Sequence, residues 1–205
     1  MEENITRIKN WLGQGSINIF GMPFAGKDTQ GGTLSDLLNA ELMGGGTILR
    51  NSIIPDDVRT VMERGDLIPT DDYLRIVLPY LSQEKFNGKP LLLSSVGRWH
   101  GEEAGVLAAT EAAGHPLRAV VVLTVDEDIA RTRHAEGGSE DRGSRADDAA
   151  DVFNTRITEY REKTLPVIEF YRDKELLIEV DGNQTPVEVT SDIIEKLAAF
   201  ARQVN

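Results

Sequence analysis

Two glycines and a lysine between residues 21 and 29 form the pattern with the most direct chemical meaning. The stretch Gly-Met-Pro-Phe-Ala-Gly-Lys-Asp-Thr begins at Gly21 and fits G-x-x-x-x-G-K, with its hydroxyl residue, Thr29, one place later than in the commonest form. Glycines let successive backbone N–H groups wrap around a phosphate, and Lys27 can reach the β- and γ-phosphates of a nucleotide. The motif predicts a nucleoside triphosphate site.

The elements around this loop meet the requirements of the motif. An apolar strand precedes it and a helix follows it, so the helix N-terminus adds partial positive charge to the site. Strands are predicted at 16–20, 90–93, 119–125 and 176–180, and helices at 3–12, 28–38, 71–81, 102–113, 126–134, 147–171 and 189–200. Strands that alternate with helices predict an α/β fold with a parallel sheet covered on both faces.

Three local features modify this alternation. Pro166 is predicted to kink or break the helix over 147–171, because proline lacks a backbone N–H. The stretch 42–50 is rich in glycine, and the stretch 135–146 is polar and short of apolar residues. Both stretches are predicted to be loops, and loops on a rigid scaffold often carry binding sites.

Composition and charge exclude several classes of function. The net charge of −12 argues against a general affinity for nucleic acid, and the absence of cysteine excludes disulfides and thiolate metal sites. No apolar run approaches the roughly 18 residues of a membrane span, and the N-terminus lacks the features of a secretory signal. We therefore expect a cytoplasmic protein that binds neither nucleic acid nor membrane.

Several short motifs follow one another in the order found in one enzyme family. From about Ile17 to the C-terminus, the chain resembles the adenylate kinase family of nucleoside monophosphate kinases. The phosphate loop of that family reads G-x-P-G-x-G-K-G-T-Q. The matching segments of this chain are, in order, 21–30, 46–50, 65–69, Arg98, 126–133, 143–148, Arg156, 164–171 and 180–182.

The resemblance implies a fold and a division of the chain. The expected architecture is a single domain with the three-layer α/β/α P-loop NTPase fold on a five-stranded parallel sheet. The core would comprise 14–41, 83–133 and 148–205, with an N-terminal helical extension at 1–13, a helical insertion for the nucleoside monophosphate at 42–82, and a short lid at 134–147. The resemblance also implies a monomer.

Roles for individual residues also follow from the resemblance. Catalysis of phosphoryl transfer is mostly positioning and electrostatic stabilisation, and it would depend on Lys27, Arg98, Arg145 and Arg156. ATP would contact Gly21, Phe24, Ala25, Gly26, Lys27, Asp28, Thr29 and Arg133. The acceptor nucleotide would contact Gly45, Arg50, Asp66, Leu67, Ile68, Ser95, Arg98, Glu102, Arg145 and Arg156.

Two departures from the family pattern concern magnesium. Where the family has D-G-F-P-R, this chain has Ser-Ser-Val-Gly-Arg, so Ser94 replaces the aspartate that helps to hold the magnesium shell. Asp28 follows the loop lysine where the family has glycine. One hypothesis is that Asp28 supplies the missing shell ligand. The alternative is that Asp28 is an acid of the first helical turn that faces away from the metal.

A third departure concerns the acceptor base. Glu102 stands where the family commonly has a glutamine that reads adenine. An ionised carboxylate only accepts hydrogen bonds, which favours guanine or the cytosine amino group and still permits adenine. The identity of the base stays open.

The leading prediction is an enzyme that uses ATP and Mg²⁺ to convert AMP or another nucleoside monophosphate to the diphosphate. One alternative is a P-loop kinase for another small acceptor, because the stretch 94–99 is remodelled. A second alternative is a non-catalytic nucleotide-sensing module. The four phosphate-directed cations Lys27, Arg98, Arg145 and Arg156 argue against a pure binding module. With no cysteine and no His/Asp tetrad in the lid, a structural zinc is excluded.

Overall fold

Five parallel strands form the centre of the protein. The computed structural model describes residues 1–63, 70–136 and 150–203. The strands are β1 (Ser16–Gly21), β2 (Glu41–Gly44), β3 (Leu91–Ser94), β4 (Leu117–Thr124) and β5 (Leu177–Asp181), and they pair in the order β2-β3-β1-β4-β5. Every neighbouring pair is parallel. The predicted α/β fold with a five-stranded parallel sheet is therefore confirmed.

Helices cover both faces of this sheet, as the sequence predicts. They are α1 (Glu2–Leu12), α2 (Lys27–Leu38), α3 (Gly45–Asn51), α4 (Asp56–Glu63), α5 (Thr70–Leu81), α6 (Glu103–Ala112), α7 (Glu127–Ala135), α8 (Ala150–Glu159), α9 (Leu165–Asp173) and α10 (Pro186–Gln203). Ile17 and Ile19 of β1 pack in a cluster with α1, α2, α8 and α10. Phe20 packs on the other face with α9. A third cluster joins α5 and α6 to β2 and β3.

The stretch 42–50 is not the loop that its glycine content predicts. It forms the end of β2 and most of α3, and β2 pairs with β3 in register from Glu41 opposite Leu91 to Gly44 opposite Ser94. The buried side chains of Met43 and Ile48 anchor this segment in the core. Strand pairing and burial therefore override the local preference of glycine for irregular structure.

Pro166 interrupts the long helix through a change of hydrogen-bond register. Regular α-helix stops at Glu159, and the next five residues, Tyr160–Thr164, form a wider π-helical turn before α9. The N–H of Leu165 donates to the carbonyl of Tyr160, five residues back. Pro166 has no N–H to bond four residues back, so the register changes just before it. The predicted interruption is confirmed.

The N-terminal helix, which the sequence predicts over residues 3–12, packs on the core. Ile8 and Leu12 of α1 are buried, and Trp11 meets Phe200 of α10 edge to face, with ring centres 5.9 Å apart. The helix α10 has 18 residues and buries one apolar stripe. Within the described residues, neither α10 nor any other helix is long and apolar enough to cross a membrane.

Candidate active site

The phosphate loop lies between the carboxyl end of β1 and the start of α2, as the motif requires. Gly21 ends β1 at a point where a Cβ atom would lie 2.9 Å from the carbonyl oxygen of Leu123 and 3.0 Å from the Cβ of Ala25. A larger residue would displace one of these neighbours. Gly26 precedes α2 with a φ of +94°, which glycine adopts without strain. The backbone N–H groups of the first turn of α2 therefore lie next to the loop.

Lys27 is the first residue of α2, and its ammonium group turns back over the loop. Its Nζ donates to the carbonyl oxygens of Gly21 and Met22, both at 2.7 Å. Asp28 and Thr29 follow in the same helical turn, with exposed side chains. A cation and two oxygen-bearing side chains thus share one helix N-terminus, an arrangement that suits a phosphate chain.

Phe24 lies within the phosphate loop, where the family pattern has glycine. Its φ of +63° is in the left-handed region that side chains other than glycine seldom adopt. Its ring contacts His134 of α7 and Phe153 of α8, with ring centres 4.8 and 5.8 Å away. The guanidinium carbon of Arg156 lies 5.9 Å from the same ring centre. The structure therefore brings Arg156, a predicted catalytic cation, beside the phosphate loop.

A cavity of about 320 Å³ opens next to the phosphate loop. The loop, α2, the end of α7 and the segment 182–189 form its walls. Arg133 of α7 donates through Nη2 to the carbonyl of Gly182 at 2.8 Å, which holds the guanidinium against that segment. The predicted ATP residues that line this cavity are Phe24, Ala25, Gly26, Thr29 and Arg133. One concave site thus collects residues from the loop and from a helix more than 100 positions away.

Gln30 is a cavity residue that the sequence-based predictions missed. Its side chain is almost fully buried, and it donates through Nε2 to the carbonyl of Pro186 at 2.9 Å. Its Oε1 accepts a hydrogen bond of 2.8 Å from the hydroxyl of Thr190. Since Pro186 also lines the cavity, Gln30 fixes one wall. The available signal was its place directly after Thr29, but its partners lie about 156 positions along the chain.

Three predicted acceptor residues, Ser95, Arg98 and Glu102, lie between β3 and α6. Because β3 and β1 are neighbouring parallel strands, this segment and the phosphate loop leave the same edge of the sheet. Ser95 has a φ of +52°, and its N–H donates to the carbonyl of Ile19 at 3.0 Å. Gly45 approaches this turn so closely that a Cβ atom would lie 3.0 Å from the carbonyl oxygen of Ser95. The predicted acceptor residues therefore meet from two separate segments.

Glu102 is buried, with 8% of its surface exposed. Its Oε2 accepts a hydrogen bond of 3.3 Å from the N–H of Trp99. Burial raises the pKa of Glu102 to about 7, against the opposing effects of the Trp99 N–H and the nearby Arg98. Glu102 therefore populates the neutral acid at neutral pH, whereas the sequence suggests an ionised carboxylate that only accepts. A neutral carboxyl group both donates and accepts hydrogen bonds.

The loop after Arg98 is fastened to the π-helical turn. The N–H of His100 donates to the carbonyl of Lys163 at 3.0 Å. The ammonium nitrogen of Lys163 lies 4.2 Å from the ring centre of Trp99, a cation–π contact. Trp99 is half-buried in this contact. The turn that follows α8, and with it the helix that carries Arg156, is thereby linked to the loop between β3 and α6.

Some predicted site residues cannot be placed from the described part of the chain. Asp66, Leu67, Ile68 and Arg145 lie outside the described residues. Arg50 is described only as part of the backbone of α3. The roles assigned to these five residues stay predictions, as do the roles of the predicted site residues that the structure places.

Comparison with known proteins gives a consistent picture. The adenylate kinase family model matches residues 19–176 of the chain. The adenylate kinase of Thermus thermophilus is 33% identical over 190 residues, which cover 89% of this chain and 96% of that protein. The adenylate kinase of a Synechococcus species is 30% identical over 182 residues, which cover 86% and 95%. That of Parasynechococcus marenigrum is 31% identical over 183 residues, which cover 87% and 96%.

Proposed function

Because this chain belongs to the adenylate kinase family, we propose that it transfers the γ-phosphoryl group of ATP to AMP and releases two molecules of ADP. The general activity follows from the family: the chain is a nucleoside monophosphate kinase that uses ATP as its donor. AMP is the acceptor that the names of its relatives imply. The observation that carries the proposal is the exit of the phosphate loop and the Arg98 loop from neighbouring parallel strands. Two nucleotides bound there would meet through their phosphates.

The donor side would be built on the phosphate loop. Lys27 would neutralise charge on the β- and γ-phosphates, and the N–H groups at the start of α2 would bind their oxygens. The ribose and base would occupy the cavity of about 320 Å³. Arg133, held by Gly182, would lie against the base.

The acceptor side would be built on the loop after β3 and on α3. Arg98 is exposed near the buried Glu102, and its guanidinium would grip the acceptor phosphate bidentately. Glu102 would form hydrogen bonds to the acceptor base. In its neutral form, which the raised pKa makes accessible near pH 7, Glu102 would both donate to and accept from an adenine edge, which supports AMP as the acceptor.

The chemical step needs positioned charge more than proton transfer. An oxygen of the acceptor phosphate attacks the γ-phosphorus while the bond from that phosphorus to the β–γ bridging oxygen breaks. ADP leaves with the electron pair of that bond, and the acceptor gains the phosphoryl group. Lys27, Arg98 and Arg156 would neutralise the charge that spreads over the transferring group. Arg145 would contribute in the same way.

Magnesium fits the oxygen donors at the start of α2. Mg²⁺ prefers oxygen ligands and usually binds through substrate phosphates and one or two carboxylates. The carboxylate of Asp28 and the hydroxyl of Thr29 are such donors, both exposed beside the loop. Within the described residues, no group of three or more His, Cys, Asp or Glu side chains could hold a metal ion. Bound with ATP, Mg²⁺ would offset phosphate charge.

A cytoplasmic location and a monomeric state stay predictions.

An acceptor panel tests the proposal directly. The purified protein is incubated with ATP and Mg²⁺ plus AMP, GMP, CMP, UMP or dTMP, and the products are separated by ion exchange. We expect AMP to be converted to its diphosphate at a rate at least about tenfold above the rates for the other acceptors. Lys27→Ala should abolish turnover, while Lys196→Ala, a lysine on α10 that binds the carbonyl of Glu179, should not.

Each outcome of the panel has a distinct meaning. Preference for another monophosphate would contradict AMP as the acceptor but retain the kinase. Clear ATP binding without turnover on any monophosphate would contradict the proposed activity and favour another small acceptor or a nucleotide sensor. Equal activity in Lys27→Ala and the wild type would contradict a role for the phosphate loop in the reaction.

A further inference from the structure

Asn18 is a polar residue in the middle of the most buried strand. All six residues of β1 are buried, and Asn18 is fully so. Ile17 and Ile19 face the cluster with α1 and α10, so Asn18 lies on the opposite face, on the same side as Phe20. A buried amide destabilises a fold unless hydrogen bonds satisfy it. Its partners therefore indicate what it contributes.

Both polar atoms of the Asn18 side chain bind one residue. Nδ2 donates to the carbonyl oxygen of Val96 at 2.8 Å, and the N–H of Val96 donates to Oδ1 at 3.3 Å. Val96 is itself buried, with 1% of its surface exposed. The side chain thus satisfies both backbone groups of a residue 78 positions away, in the way that a neighbouring strand would.

This pairing continues where the sheet ends. The register between β1 and β3 runs to Ile19 opposite Ser94, and the N–H of Ser95 still donates to the carbonyl of Ile19. After that point the chain turns away, with positive φ values at Ser95 and Gly97. The amide of Asn18 therefore links β1 to Val96, which follows the last residue of the β3 side that bonds the backbone of β1.

We propose that Asn18 is a positioning residue for phosphoryl transfer, which holds the loop that carries Arg98 in register with the strand that carries the phosphate loop. The proposal rests on the proposed role of Arg98 in binding the acceptor phosphate. Arg98 follows Val96 by two residues and is exposed, so the backbone at Val96 sets the point from which its long side chain reaches. Small misplacements of a positioning group cost large factors in rate. The fixed distance between the two loops is what Asn18 supplies.

The main test compares two buried polar residues on the same face of β1. Asn18→Leu has a similar volume and removes both bonds to Val96. Ser16→Ala removes the bond from the Ser16 hydroxyl to the carbonyl of His115, at the other end of the strand. We expect Asn18→Leu to lower kcat/KM for the acceptor about 10- to 100-fold and to leave KM for ATP within about twofold. Ser16→Ala should change neither.

Hydrogen exchange gives a readout that does not depend on turnover. Amide exchange over residues 95–101 should become about tenfold faster in Asn18→Leu and stay at the wild-type rate in Ser16→Ala. Exchange over 21–27 should be unchanged in both variants. If Asn18→Leu does not fold, Asn18→Val replaces it, because a β-branched apolar side chain suits a strand and makes neither hydrogen bond to Val96.

The outcomes separate this proposal from the proposed function. A selective loss of acceptor kcat/KM, with faster exchange over 95–101, supports the positioning role. Equal acceptor kcat/KM in Asn18→Leu and Ser16→Ala overturns it. A wild type that turns over no nucleoside monophosphate refutes the proposed function instead. In that case, unchanged exchange over 95–101 in Asn18→Leu still overturns the structural claim.

Discussion

The ring of Phe24 meets the imidazole of His134 edge to face, with ring centres 4.8 Å apart. This contact joins the phosphate loop to the end of α7, and Phe153 of α8 extends it on the other side. The contact is accompanied by backbone strain, since Phe24 holds a φ of +63°. Favourable packing and backbone strain therefore oppose each other at one residue of the phosphate loop.

A first prediction concerns this strain. Replacement of Phe24 by Gly or by Ala removes the same ring contacts, but only glycine adopts a φ of +63° without a steric penalty. We expect Phe24→Gly to be more stable to urea than Phe24→Ala by about 1 kcal/mol. Glycine normally destabilises relative to alanine, and the usual order should appear at exposed Glu195 of α10. The same order at Phe24 as at Glu195 would contradict strain in the loop.

A second prediction concerns the pH dependence of stability through Glu102. Burial raises its pKa from an ordinary 4.5 to about 7 in the folded state. Between these values the folded state binds more protons than the unfolded state, so stability falls as pH rises. Relative to that of Glu102→Gln, the free energy of unfolding of the wild type should fall by up to about 3 kcal/mol between pH 4.5 and pH 7.

Urea unfolding at pH 5 and pH 8 measures this effect. Glu111→Gln, an exposed change on α6, the helix that begins directly after Glu102, is the control and should follow the wild type at both pH values. Parallel behaviour of Glu102→Gln and the wild type would mean that Glu102 has an ordinary pKa in the folded protein.

A third prediction concerns the wall of the cavity that we propose binds ATP. Arg133→Ala removes the guanidinium that Gly182 holds beside the cavity. We expect the dissociation constant of ATP to rise about tenfold, as for the loss of one cation–π or stacking contact. Arg172→Ala, on α9, removes a guanidinium that binds Glu169 and Glu179 at the surface and should have little effect. Equal effects of the two changes on ATP binding, measured by calorimetry, would argue against Arg133 in the donor site.

A fourth prediction concerns magnesium. If Asp28 helps to hold the magnesium shell, Asp28→Asn should raise the Mg²⁺ concentration for half-maximal activity about threefold or more, because a carboxylate is the better ligand. Ser94→Asp restores the aspartate of the family pattern and should reverse part of this shift in the Asp28→Asn background. An unchanged Mg²⁺ requirement in Asp28→Asn would favour the alternative, an acid of the first helical turn.

Features that depend on local chemistry could be predicted from the amino-acid sequence. Gly21, Gly26 and Lys27 define a phosphate loop, because the spacing of a tight turn and a helix start is fixed within nine residues. The alternation of apolar runs with helical patterns predicted the parallel sheet, since strands buried on both faces read as continuous apolar segments. Pro166 predicted the interruption between α8 and α9 through its missing N–H.

Features that depend on distant partners became visible in the three-dimensional fold. The glycine-rich stretch 42–50 forms part of β2 because β3, some 50 residues later, supplies its hydrogen bonds. The pKa of Glu102 depends on how deeply the fold buries it. The hydrogen bonds of the buried Asn18 side chain depend on Val96, which lies far along the chain. Phe24 holds a left-handed conformation because His134 and Phe153 pack against its ring. Long-range pairing and burial overrule local preference, and a single sequence does not display which residues will meet.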